Sequence, residues 1–144
     1  KVAGINTKNI EPSSCPKVWD ELFSKYSPEK LEKLGNGQSY GICHDIKNTK
    51  KINYMACYDV KDIEKAEKMG LEIMEVDTAE YAVVELTGKI PDSIHAGWKY
   101  LFEVFFPEQG YRHSGKPDFE VYSEGDMYSE TYKMELWVPI VKEL

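Results

Sequence analysis

"YKMELWVPIV", residues 132–141, decides the fold of this chain. Met134, Leu136, Val138 and Ile140 alternate with Lys133, Glu135 and Trp137, the period of two that belongs to a strand with one apolar face. The odd-numbered face carries a carboxylate two residues from a large aromatic. A sheet face washed by solvent accounts for Glu135, since antiparallel sheets often have one wet side. It does not account for Trp137 beside it.

The surroundings of this strand are organised by an internal repeat, which should be sought before any other feature. Sliding the sequence on itself gives a gap-free match at a constant offset of 79 residues. Pro12 meets Pro91, Trp19 meets Trp98, Leu22 and Phe23 meet Leu101 and Phe102, and Met55 meets Met134. Related residues fill the intervals, among them Ala3 with Ala82, Tyr40 with Phe119, Ile42 with Val121 and Tyr58 with Trp137. The pattern predicts one domain over 1–144 built from two copies, 1–62 and 78–144.

Each copy reads strand, helix, strand, strand, so the expected fold class is α+β, two βαββ modules in tandem. In the first copy "VAGINT" is a strand, "SSCPKVWDELFSKY" a helix, and "SYGICHDI" and "INYMACYDV" are strands joined by the turn "KNTKK". In the second, "YAVVELTG" precedes a helix "PDSIHAGWKYLFEVFF", opened by Pro91 and Asp92 and closed by Pro107, and the strands "DFEVYSE" and "YKMELWVPIV" follow. Between the copies "DIEKAEKMG" reads as a short helix ended by Gly70, and "LEIMEV" as an additional strand.

The helix over 91–106 repeats Ile94, Trp98, Leu101 and Phe105 at helical spacing, one apolar stripe that must cover a sheet. The even face of the last strand is its partner, which turns Glu135 and Trp137 to the far side. Carried back by 79 residues, the same face of the first copy holds Tyr54, Ala56 and Tyr58, with Cys43 and Tyr122 on the neighbouring strands. Joined side by side about a pseudo-twofold axis, the copies would make a mainly antiparallel sheet with helices on one face and a ligand cleft between modules. Trp19 and Trp98 are expected in the core. Phe102 and Phe106, beside the core stripe, are expected to border the cleft.

Composition narrows the function. The chain has 18 basic and 25 acidic residues and a net charge of -7, which opposes the counterion release that drives nucleic-acid binding. Cys15, Cys43 and Cys57 form no CxxC or Cys/His cluster, so no disulfide framework and no metal site are expected. A reducing cytoplasm suits them. No apolar run approaches the roughly 20 residues of a membrane span. His44, His95 and His113 are scattered, with a satisfied structural role expected for His44. No nucleophile elbow or glycine-rich phosphate loop is present, and no cofactor is expected.

Taken together, "GWKYLFEVFFPEQGY", "PDFEVY" and "ELWVPI", with "YGICHD" and the hairpin after it in the first half, resemble the GyrI-like small-molecule-binding domain. That domain also serves as the effector-binding domain of bacterial multidrug-responsive and AraC-type transcription regulators. The resemblance implies two βαββ modules about a pseudo-twofold axis, with Glu135 at the floor of the cleft among aromatics, meeting lipophilic cations. Trp137 takes the aromatic position of the terminal motif, whereas Tyr54, Tyr58 and Tyr122 come from the facing of the strands alone. No helix-turn-helix segment lies in these 144 residues, so a fused or separate DNA-binding domain and a homodimer are left open.

The implied chemistry is physically coherent. A carboxylate enclosed by aromatic rings loses hydration, and a cationic ligand restores what is lost. Each ring face adds cation–π attraction of about 0.5 to 2 kcal/mol with little demand on ligand shape. The long stem of Lys133 can carry its ammonium away to solvent. The expected function is therefore binding of amphipathic, cationic small molecules, with no catalytic residue assigned. Two alternatives follow from the resemblance: hydrolysis of cyclopropane-containing natural products with Glu135 as general acid or base, and a gyrase-inhibitor-like protein interaction.

Overall fold

Ala3, Ala56 and Leu22 have no solvent exposure at all, and they mark where the first sheet and its helices meet. The computed structural model describes residues 1–44 and 51–143. Most of the turn expected over 47–51 falls outside them. The chain divides into two compact units, Lys1–Thr78 and Ala79–Leu144. Both are α+β, and every strand pairing described below is antiparallel.

In the first unit β1 (Val2–Ile10) lies between β4 (Glu72–Met74) and β3 (Ile52–Asp59), and β2 (Ser39–His44) pairs with the other side of β3. Gly4 in β1 is required by close approach: a Cβ there would stand 2.0 Å from Ala56 O and 2.6 Å from Cys57 Cα. A bulge between Thr7 and Ile10 puts Asn9 at φ 59, an αL conformation that Asn tolerates, and Asn9 N–H donates to Asn53 Oδ1 at 2.8 Å. One face of this sheet is covered by α1 (Cys15–Lys25), α2 (Pro28–Glu32) and α3 (Ile63–Lys68), which bury Val18, Leu22, Leu31 and Ala66 against Ala3 and Ala56. α2 is an element beyond those that the residue periods predict. Its signals are local, with Ser27 as N-cap accepting from Lys30 N–H and Pro28 in the first turn.

In the second unit β8 (Lys133–Lys142) is central. β5 (Tyr81–Thr87) pairs with one side of it, and β7 (Asp118–Val121) and the short β6 (Tyr111–His113) with the other. β6 was also absent from the sequence reading, because three residues are too few to show a period. The covering helix begins as α4 (Asp92–Tyr100), widens to a π-helical stretch at Leu101–Phe105, and resumes as α5 (Phe106–Gln109).

That widening corrects the expectation that Pro107 closes the helix. Proline cannot donate to the carbonyl four residues back, and its ring crowds that carbonyl. The π turn, where Phe106 N–H reaches Leu101 O, shifts the register ahead of the proline. The helix then runs past Pro107 and stops at Gly110, at φ 71. The predicted stripe holds: Ile94 and Leu101 are buried against Leu136 and Val138, with Trp98 and Phe105 packed at the margin. Among the described residues no helix is long and apolar enough to cross a membrane.

Candidate functional site

Alternation along β8 places Met134, Leu136, Val138 and Ile140 in the helix-covered core, so Lys133, Glu135 and Trp137 rise from the opposite face. Antiparallel pairing decides their neighbours. Trp137 stands between Val83 of β5 and Phe119 of β7, and Glu135 between Glu85 of β5 and Val121 of β7. Two pairs along, on the same face, Tyr81 of β5 lies opposite Pro139. Its ring centroid is 5.8 Å from that of Trp137 and 5.6 Å from that of Phe119. The result is a three-ring aromatic cluster of Tyr81, Phe119 and the Trp137 indole.

Within it Trp137 Nε1 donates to Glu135 Oε1 at 3.2 Å. Glu135 is half-buried, Phe119 is buried, and Val83 remains 47% exposed. The face thus combines a partly desolvated carboxylate, ring faces and aliphatic surface. On the helix side of β5, an open groove of about 640 Å³ follows that strand against α4, lined in part by Val84, Leu86, Ser93, Gly97 and Tyr100. Ser93 Oγ is buried there without a hydrogen-bond partner among the described residues.

Of the residues singled out from the sequence, Glu135 and Trp137 come together. The others are placed elsewhere. Tyr54 and Tyr58 pack in the first unit's core with Val18, Leu22 and Leu31, on the helix-covered face, and Tyr54 Oη accepts from Trp19 Nε1 at 2.9 Å. Burial, and secondarily the Glu32 carboxylate, pushes the Tyr58 hydroxyl pKa up. Cys43 packs against that same core. Tyr122 lies against the helix-covered core of the second unit, and its hydroxyl donates to Glu120 Oε1 at 2.7 Å. Phe106 is buried in that core, while Phe102, 56% exposed, stacks on Trp98 on the outside of the helix.

The reason is a slip of one residue. Ala3 and Ala82, like Cys43 and Tyr122, keep the 79-residue offset and all lie toward helices. On the last strand of each unit, however, the helix-facing set is Tyr54, Ala56 and Tyr58 in one and Met134, Leu136 and Val138 in the other. Tyr54 therefore corresponds by face to Met134, and Met55 does not. A shift of one position moves every side chain of a strand to the other face. For Tyr122 the correction is different: it lies just past the end of β7 and points to the helix side, whereas Phe119 and Val121 of β7 point the other way and flank Trp137 and Glu135.

His44 is buried with Nε2 and Asn6 Oδ1 2.8 Å apart, a structural arrangement. Sequence reasoning missed Tyr81, Val83, Glu85 and Phe119. The alternation in "YAVVELT" groups the first three on one face, but only the pairing register sets them beside Glu135 and Trp137.

A family model described as the GyrI-like small molecule binding domain matches residues 1–141. The chain belongs to the GyrI-like family. No curated protein matches this GyrI-like domain in sequence. Among solved structures, SAV2435 bound to tetraphenylphosphonium is similar with a TM-score of 0.80 at 20% identity, covering 97% of this chain and 87% of that one. A Staphylococcus aureus MU50 protein named for bacterial transcription regulation gives 0.73 at 19% identity, over 96% and 90% of the two chains. An integron cassette protein from the mobile metagenome of Vibrio cholerae gives 0.70 at 15%, over 97% and 89%. At these identities the likeness is one of fold.

Proposed function

We propose that this GyrI-like domain binds amphipathic organic cations, with Glu135 as charge partner and Trp137, Tyr81 and Phe119 as the aromatic wall. The observation that carries this reading is the Trp137 Nε1 to Glu135 Oε1 hydrogen bond inside a three-ring cluster. It orients the carboxylate beside ring faces. A cation seated there would meet a negative charge and the π-clouds at once, and the aliphatic surfaces of Val83 and Val121 would receive its apolar substituents. The cationic ligand of SAV2435 supports the same class of ligand. Coupled to a DNA-binding domain on this chain or a partner, such a site would make binding a signal for transcription.

The test is calorimetric titration of wild type and Glu135→Gln with tetraphenylphosphonium and with a neutral tetraaryl analogue of the same size. The carboxylate accounts for at least about tenfold in affinity for the cation, the equivalent of about 1.4 kcal/mol, and for nothing in the neutral analogue. Equal affinity of both proteins for the cation would end the charge-partner role.

A further inference from the structure

The face that carries Glu135 holds a second carboxylate. β5 and β8 pair with Glu85 directly opposite Glu135, which sets their Cβ atoms about 5 Å apart on one side of the sheet. Like charges in that relation repel. Among the described residues neither glutamate makes an ion pair, and neither does Lys133, which lies two positions along on the same face, opposite Thr87. Trp137 Nε1 engages Glu135 through Oε1, and Oε2 has no partner among the described residues. Glu85 is exposed, so solvent keeps its charge hydrated while no ligand is bound.

We propose that Glu85 is the second charge partner of this site, and that the pair selects cationic heads carrying N–H donors, such as amidinium or guanidinium, over quaternary cations that carry none. The proposal rests on the reading of Glu135 as the cation's partner. A planar N–H-bearing head can donate to Glu135 Oε2 and to the facing carboxylate of Glu85 together, since two carboxylates about 5 Å apart at Cβ lie within the span of one such fork. It also relieves the repulsion between them. A quaternary centre offers no donor, and its substituents hold the charge away from both oxygens. It is left with the ring faces and a weakened Coulomb attraction. The aryl body of either ligand has Trp137, Val83 and Val121 to lie against.

Two probes with the same aryl body separate the effects: 4-phenylbenzamidine and biphenyl-4-yl-trimethylammonium, each titrated calorimetrically into wild type, Glu85→Gln and Glu135→Gln. In wild type the amidine binds more tightly by about tenfold, the worth of one charge-assisted hydrogen bond. In Glu85→Gln that advantage shrinks to within about twofold, while the quaternary probe weakens by less than about threefold, the part owed to long-range charge alone. An amidine with no advantage in wild type, or an advantage that survives Glu85→Gln, overturns the role of Glu85; if Glu135→Gln still weakens both probes, the reading of Glu135 stands. If Glu135→Gln weakens neither probe, that underlying reading fails and the selectivity proposal fails with it.

Discussion

Trp137 Nε1 donates to Glu135 Oε1 at 3.2 Å, joining two residues that sit two apart on β8 and so on one face of the sheet. The indole therefore has two tasks in the proposed site, presenting a ring and holding the carboxylate. Trp137→Phe keeps a ring and removes the donor. Affinity for tetraphenylphosphonium should fall by about three- to tenfold, since phenylalanine is the weaker cation–π partner and Glu135 is no longer oriented. Calorimetry measures this directly, and undiminished affinity would remove Trp137 from the site.

Tyr54 should behave as a core residue. Tyr54→Phe takes away the hydroxyl that accepts from Trp19 Nε1 in a nearly sealed environment, at a cost of about 1 to 2 kcal/mol for the donor left behind. Chemical denaturation would show a lower midpoint at unchanged slope. Affinity for the cation should stay within about twofold of wild type, a shift too small to signify a contact. A larger loss of affinity in a variant that is still folded would return Tyr54 to the ligand site.

Cys57 gives the stability a pH dependence. Full burial pushes its thiol pKa far up, while in the unfolded chain the thiol titrates near about 8.5. The folded pKa lies above the unfolded one, so this stabilising contribution is complete below about pH 8.5 and is lost as pH rises, when the unfolded state releases a proton the folded state keeps. Stability should fall by about 1.4 kcal/mol per pH unit above that point. Tyr40 and Tyr58, both raised chiefly by burial, add to the slope at still higher pH. Denaturation of wild type and Cys57→Ala from pH 7 to 10 checks this, because the variant should show the shallower decline.

Two glycines should respond differently to a methyl group. At Gly4 the added Cβ meets backbone, Ala56 O at 2.0 Å and Cys57 Cα at 2.6 Å, whereas at Gly97 it meets the end of the Leu86 side chain at 2.7 Å. Gly4→Ala must part β1 from β3 and should cost about 3 kcal/mol or more. In Gly97→Ala the Leu86 methyl can turn aside, and the helix gains about 1 kcal/mol of intrinsic propensity, so the net change should be under about 1.5 kcal/mol. Thermal melts of the two variants would rank them, and the reverse order would contradict the packing of β1 on β3.

Burial of Ser93 Oγ without a partner among the described residues predicts that its removal is tolerated. Ser93→Ala should leave stability unchanged or raise it by up to about 1 kcal/mol, because an unsatisfied hydroxyl buried away from water is itself a cost. A loss above about 1 kcal/mol on denaturation would mean that the hydroxyl is satisfied in solution.

Some of this molecule could be read directly from residue spacing. The stripe of Ile94, Trp98, Leu101 and Phe105 and the alternation of β8 follow from helix and strand periods, which are local properties of the chain. β6 has too few residues to show a period, and α2, at little more than one turn, shows its N-cap in the sequence but no repeating stripe. Pro107 predicts a helix end that the fold does not make, because a widened turn upstream absorbs the proline and the sequence carries no mark of such a turn.

The sequence by itself determined that Glu135 and Trp137 share a face turned away from the helix of their own unit, because the alternation of strand side chains leaves no choice once the apolar face is known. Only the tertiary structure decided who joins them. Register is a long-range property, set when β5 and β7 dock on β8. It brought Glu85, Val83, Phe119 and Val121 to that face. A slip of one residue against the repeat sent Tyr54 and Tyr58 into the core of the first unit, because in a strand one position is the whole difference between core and surface.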